Sequence, residues 1–117
     1  MDSGVFDAVQ HAAITALSGP QDCVKEACAI YQERRNVLCE GLMDLGFDVP
    51  VPKATFYVWV PAKDCMAFSG RLLTEAGIVA TPGIGFGASG DGYVRFAITR
   101  PVARIREAIE RMRKMQL

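Results

Sequence analysis

The sequence predicts an α+β fold: a two-layer domain of order α-α-β-α-β-β-α, with a small three-stranded mixed sheet and helices packed on one face. Three observations lead there. Apolar residues recur at helical spacing at both ends of the chain. Short β-branched and aromatic runs lie between them. Glycine or proline stands at nearly every junction. The length, 117 residues, suits one domain with one modest core.

From Ser3 to Leu17 the residues Val5, Phe6, Val9, Ala12, Ala13, Ala16 and Leu17 mark a first helix, with Ser3 as its cap and Ser18-Gly19-Pro20 as its stop. A second helix is expected from about Pro20 to Leu45, with the stripe Val24, Cys28, Tyr31, Leu38, Leu42 and Leu45 interrupted by Arg35. Gly46 closes it, because glycine takes a left-handed conformation without a Cβ clash, and Pro50 and Pro52 forbid continuation. Thr55 to Val60 reads as a strand ending at Pro61. Asp64 opens a helix through Phe68, Leu72, Leu73 and Ala76, closed by Gly77. Ile78-Val79-Ala80 is a short strand, a glycine-rich loop covers Thr81 to Gly92, and Tyr93 to Thr99 is the third strand. Pro101 starts a last helix with Ile105, Ala108, Ile109 and Met112 on one side.

The β-α-β-β order places the first two strands parallel, with the third returning between them. A right-handed crossover then lays the helices on one face. Alternation along strands sorts the side chains. Val94, Phe96 and Ile98, with Phe56, Val58 and Val60, face the helices. Tyr57, Trp59, Tyr93 and Arg95 fall on the opposite face, an aromatic surface that a small domain would not leave to water, so something else is expected to cover it.

Composition excludes several function classes. Half the residues are apolar and 22% are charged, as in a globular domain. Thirteen cations balance thirteen anions, which excludes nucleic-acid binding through bulk positive charge. The longest uncharged stretch, Ala76 to Gly90, is short of the roughly 20 apolar residues of a membrane span. No signal-peptide pattern opens the chain, so a cytoplasmic protein is expected. Cys23, Cys28, Cys39 and Cys65 form no C-x-x-C pair, and His11 has no partner at zinc-ligand spacing, so no metal site is expected. All four thiols are expected to be reduced and structural, with at least two of the three helical ones in the core.

Three features carry possible chemistry. Gly85-Phe86-Gly87-Ala88-Ser89-Gly90 has the letters G-x-G-x-x-G but leads into a strand, whereas a dinucleotide fingerprint must open a helix whose amides hold the pyrophosphate. The loop is read instead as a flexible turn needing positive φ angles, or as a mobile lid. Arg95 stands mid-strand among apolar residues and needs a partner. It is either one half of a structural ion pair or an anion reader whose planar fork grips a carboxylate. The cations of the last helix, interleaved with Glu107 and Glu110, read as a solvated outer face. His11 reads as a packing or surface residue.

Five ordered segments then resemble the class I/II aminotransferases, the fold-type I enzymes dependent on pyridoxal phosphate. Asp2-Ser3-Gly4-Val5-Phe6 with Gln10 is similar to their D-S-G-x-F-x-x-x-Q segment. Glu33-Arg34-Arg35-Asn36 with Leu38 resembles their Y-x-x-R-R-D-x-L helix, with Asn36 where aspartate is usual. Lys53 to Trp59 resembles P-x-A-T-F-Y-V-W, Thr81-Pro82-Gly83 with Phe86-Gly87 resembles T-P-G-x-x-F-G, and Gly92-Tyr93-Val94-Arg95 with Thr99 resembles G-Y-x-R-x-x-L-T. The closest branch is that of the LL-diaminopimelate and aspartate aminotransferases.

The resemblance implies the C-terminal, small domain of such an enzyme, with residues 1–18 as the connecting helix from the large domain and 20–117 as the small domain. It implies amino-group transfer between an amino acid and a 2-oxo acid, pyridoxal phosphate in the complete enzyme, and a homodimer. Arg95 then binds the substrate α-carboxylate, orienting proton removal at Cα. Tyr57, Trp59 and Phe86 line the substrate pocket or simply pack. No catalytic, cofactor or metal residue is expected in this chain. Lys25, Lys53, Lys63 and Lys114 lie outside the surroundings of the family's imine-forming lysine, so the chain alone should be inert and hold no cofactor. The alternative is a stand-alone α+β carboxylate-binding or assembly module without catalysis. A regulatory metabolite-binding domain would leave the motif order unexplained.

Overall fold

In the computed structural model, which describes residues 4–115, the elements run α1 (Asp7–Ser18), α2 (Asp22–Asp44), β1 (Tyr57–Pro61), α3 (Cys65–Ala76), β2 (Thr81–Pro82), β3 (Tyr93–Ala97) and α4 (Val102–Arg113). Two 3-10 turns, Gly83–Phe86 and Ala88–Gly90, fill the loop between β2 and β3. The order matches the α+β expectation. Ser3, the expected cap of α1, lies outside the described residues.

Helix ends follow local chemistry. Gly46 takes φ 91° after α2 and donates to the Met43 carbonyl at 2.9 Å. The Asp64 side chain accepts from the Ala67 amide at 2.9 Å, and Gly77 ends α3 in the left-handed region. At the α1–α2 corner the Gln21 side chain donates to the carbonyls of Ala16 and Gly19.

The sheet order is β1-β3-β2, with β3 antiparallel to both neighbours. β1 and β2 therefore run the same way, yet the sheet is antiparallel in both ladders and not mixed, because the returning strand separates the two that are parallel. β2 falls at Thr81–Pro82 and not at Ile78-Val79-Ala80. The backbone of that earlier segment is already engaged: the Ile78 amide donates to Leu72 at the end of α3, and the Ser69 hydroxyl donates to the Ala80 carbonyl.

One side of the sheet forms the core. Val58, Val60, Val94, Phe96 and Ile98 are buried against Leu38, Leu42, Leu72, Ile105, Ile109 and Met112 from α2, α3 and α4. Gly41 lets α2 and α4 approach, since a Cβ there would run into the Ile109 side chain. Phe56 departs from the expected alternation and is 39% exposed. Thr55 before it takes φ 68°, so the extended backbone starts only at Tyr57. A β-branched residue rarely adopts that conformation.

The described residues up to Ile30 stand outside this core. No residue of α1 is buried, and the buried residues of α2 begin at Leu38. Val24 and Cys28, expected in the apolar stripe, are exposed. Cys23 is exposed too, so of the three cysteines on α2 only Cys39 is a core residue, joined by Cys65 from α3. The radius of gyration is 18.0 Å, against about 13 Å for a compact chain of this length. The projecting arm presents Val5, Phe6, Val9, Ile14 and Leu17 to its surroundings. Among the described residues no helix is long and apolar enough to cross a membrane.

Candidate functional site

The sheet face away from the helices carries the candidate site. Trp59 pairs across the ladder with Arg95, and Tyr57 with Ala97. Alternation therefore brings Tyr57, Trp59, Tyr93 and Arg95 together as expected. The Arg95 guanidinium carbon lies 3.9 Å from the Tyr57 ring centroid and 4.0 Å from that of Phe86. Two aromatic rings thus contact one cation. Trp59 meets Phe86 edge-on, at 5.5 Å between centroids, and lies 6.4 Å from Tyr93.

Arg95 is half-buried, and among the described residues no carboxylate pairs with it. The structural ion pair, one of its two readings, is therefore not seen within these residues. Contact with the ring faces leaves the guanidinium edge, with its fan of N–H donors, for an incoming anion. Beside it lies an open pocket lined by Trp59, Phe86, Ser89, Gly90 and Tyr93. Another recess, between the bare end of α2 and the segment leading to β1, includes Cys23, Cys28 and Tyr31. That recess belongs to the unpartnered arm and not to the Arg95 face.

The glycine-rich loop, expected as a flexible turn or a mobile lid, has a defined local fold. Its two 3-10 turns pack backbone against backbone: a Cβ on Gly83 would collide with the Gly90 carbonyl, and one on Gly90 with that of Gly83. Within the loop only Gly87, at φ 113°, and Gly92, at φ 80°, have positive φ. This fold of the loop places Phe86 over Arg95.

The paired arginines of α2 hold the surrounding frame. Arg34 donates to the Thr99 carbonyl at 3.2 Å and to that of Ile98 at 3.5 Å, fixing the chain just beyond β3. It also lies over the Tyr31 ring. Arg35 donates to the Pro52 carbonyl at 3.2 Å, and its other nitrogens donate to Asn36 Oδ1 at 3.1 and 2.8 Å. Burial pushes the Cys39 thiol up, against the lowering influence of Arg35. His11 is exposed on α1. Lys25, Lys53, Lys63 and Lys114 are all exposed, and none lines the pocket beside Arg95. No group of three or more His, Cys, Asp or Glu among the described residues is placed to hold a metal ion.

Sequence reasoning located Arg95 and its face but not the role of Phe86 as a cover for the cation. The only signal was indirect: an aromatic residue flanked by glycines, in a loop that returns to the strand bearing Arg95.

Comparison with known proteins bears on this arrangement. The sequence profile of aminotransferase class I and II matches residues 3–112. An LL-diaminopimelate aminotransferase of Syntrophobacter fumaroxidans is 57% identical over 121 aligned positions, covering 98% of this chain and 30% of the relative. One from Desulforudis audaxviator is 48% identical, covering 97% and 30%. The chain thus spans about 30% of the length of these curated relatives. Among solved structures, an aromatic aminotransferase from Pyrococcus horikoshii superposes with a TM-score of 0.83 at 33% identity, covering 89% of this chain and 30% of that one. An alanine aminotransferase from Pyrococcus furiosus gives 0.82 at 32% identity, covering 90% and 28%. With this sequence profile and the same fold in solved aminotransferases, the chain belongs to the class I and II aminotransferases.

Proposed function

We propose that this chain is the C-terminal small domain of a pyridoxal-phosphate-dependent aminotransferase, with residues 1–18 as the helix connecting it to the large domain and 20–117 as the small domain. The complete enzyme transfers an amino group between an amino acid and a 2-oxo acid and works as a homodimer. The names of the relatives point to LL-diaminopimelate as the amino donor.

The observation that carries this reading is Arg95. In a chain of this family it lies on the helix-free sheet face, bounded by rings, with no carboxylate partner among the described residues. A guanidinium edge grips a carboxylate with two parallel hydrogen bonds. Fixing the α-carboxylate removes rotational freedom at Cα, so the C–H bond is presented in one direction. The exposed apolar residues of α1 fit a helix packed against a further domain. A stand-alone binding module leaves that surface without a purpose.

Pyridoxal phosphate supplies an electron sink when bound, and the proposal assigns its site to the complete enzyme. The four lysines are exposed, and none lines the pocket beside Arg95. By itself the chain is therefore expected to turn over no substrate.

Arg95→Lys in the complete enzyme tests the proposal. Lysine keeps the charge and loses the fork, so kcat/KM for LL-diaminopimelate should fall by about a hundredfold or more, as loss of a charged bidentate contact does. Wild-type turnover by Arg95→Lys would remove Arg95 from the site.

A further inference from the structure

We propose that Phe86 and Tyr57 are positioning residues that hold the Arg95 fork ready for a carboxylate, so that the glycine-locked loop acts in substrate recognition through Arg95. The inference rests on the reading of Arg95 as the carboxylate grip and deepens it.

The geometry is specific. The guanidinium carbon is 4.0 Å from the Phe86 ring centroid and 3.9 Å from that of Tyr57. Contacts this short place the cation against both π clouds. They also restrict a long side chain that would otherwise sample many rotamers, a freedom that binding would have to remove. The donors that remain lie in the guanidinium plane, where a planar carboxylate meets them two at a time.

Each ring is itself held. Tyr57 opens β1 and pairs with Ala97, two residues beyond Arg95 on β3. Phe86 ends the first 3-10 turn, whose backbone is locked through Gly83 and Gly90. Trp59 meets the Phe86 ring edge-on. The arrangement reaches Arg95 from two separate elements, a strand and a loop, and so fixes the fork before substrate arrives.

The α-carboxylate is common to the amino donor and the 2-oxo acceptor. Loss of a ring should therefore weaken both substrates alike and leave the chemical step largely intact. In the complete enzyme, Phe86→Leu should raise KM for LL-diaminopimelate and for the 2-oxo acid by about fivefold to tenfold, as expected when binding must immobilise one more long side chain, with kcat changed by less than about twofold. Phe86→Tyr restores a ring and should restore KM. A ring acting only in packing would be replaced by leucine without a rise in KM. Equal KM values for Phe86→Leu and wild type, or no recovery in Phe86→Tyr, overturn the proposal. Should Phe86→Leu fail to fold, Tyr57→Leu against Tyr57→Phe reads the other ring, and equal KM values in that pair overturn it as well. Arg95→Lys, measured alongside, separates the two claims. Impairment of Arg95→Lys with no effect of the ring variants defeats the positioning role alone, whereas normal turnover by Arg95→Lys defeats the site with it.

Discussion

Gly83 and Gly90 meet backbone to backbone across the loop between β2 and β3, leaving no room for a side chain on either. Gly90→Ala should therefore destabilise the fold by about 1–3 kcal/mol, the usual cost of overpacking. Gly85 has open space at its Cβ position and no positive φ, so Gly85→Ala serves as the control and should leave stability nearly unchanged. Urea denaturation of the two variants makes the comparison, and equal midpoints would mean the loop yields without cost.

Asn36 follows Arg35 on α2, and its Oδ1 accepts two hydrogen bonds from Arg35. Asn36→Asp would turn a neutral acceptor into a charged one in a geometry already formed, worth about 0.5–1 kcal/mol for a partly exposed pair. The gain should be present at pH 7 and vanish as acid protonates the introduced carboxyl. A variant no more stable than wild type at pH 7 would show that Arg35 is already saturated by its bonds to Asn36 and Pro52.

Glu107 bridges Arg104 and Arg111 on the outer face of α4. The hydrogen bond from Arg111, with help from the charge of Arg104, holds its carboxyl below the usual value near 4.5. A carboxyl depressed in the folded state stabilises above its unfolded pKa and loses that contribution as pH falls through the folded value. The Tm difference between wild type and Glu107→Gln should accordingly be largest near pH 7 and close in acid. It should also shrink in high salt, because all three side chains are solvent-accessible. A gap that does not change with pH would assign the effect to helix propensity.

Thiol chemistry should divide the cysteines two and two. Cys23 and Cys28 are exposed, whereas Cys39 and Cys65 are buried, and burial raises the Cys39 pKa. A chromogenic disulfide reagent should titrate two thiols quickly in the native chain and all four in denaturant. Four fast thiols without denaturant would mean that α2 and α3 open readily from the sheet.

What could be read from the sequence follows the range of each interaction. Asp64 and Gly77 bound α3 as expected because caps are settled within one turn of chain. The face shared by Tyr57, Trp59, Tyr93 and Arg95 was legible because strand alternation is a local rule. The stripe through Val24 and Cys28 misled, since periodicity reports an apolar face but not whether the same chain supplies its cover. Ile78-Val79-Ala80 misled for another reason: Ser69 and Leu72 had claimed its hydrogen-bonding groups. The contact of Phe86 with Arg95 depends on how the chain from Phe86 to Arg95 folds back on itself, which no periodic pattern encodes.

The position of β3 between β1 and β2 also sets the order in which the molecule can be built. Neither outer strand hydrogen-bonds to the other, and each finds its ladder partner only in Tyr93–Ala97. A nascent chain emerging from the ribosome can coil α1, α2 and α3 early, yet β1 must wait unpaired until Tyr93–Ala97 has been made. Only then can the sheet close in one step, with Val58 and Val60 exposed until it does. Arg95 sits on that last strand, so its contacts with Tyr57 and Phe86 form only when the sheet closes, and a product truncated before β3 would carry α1, α2 and α3 without them.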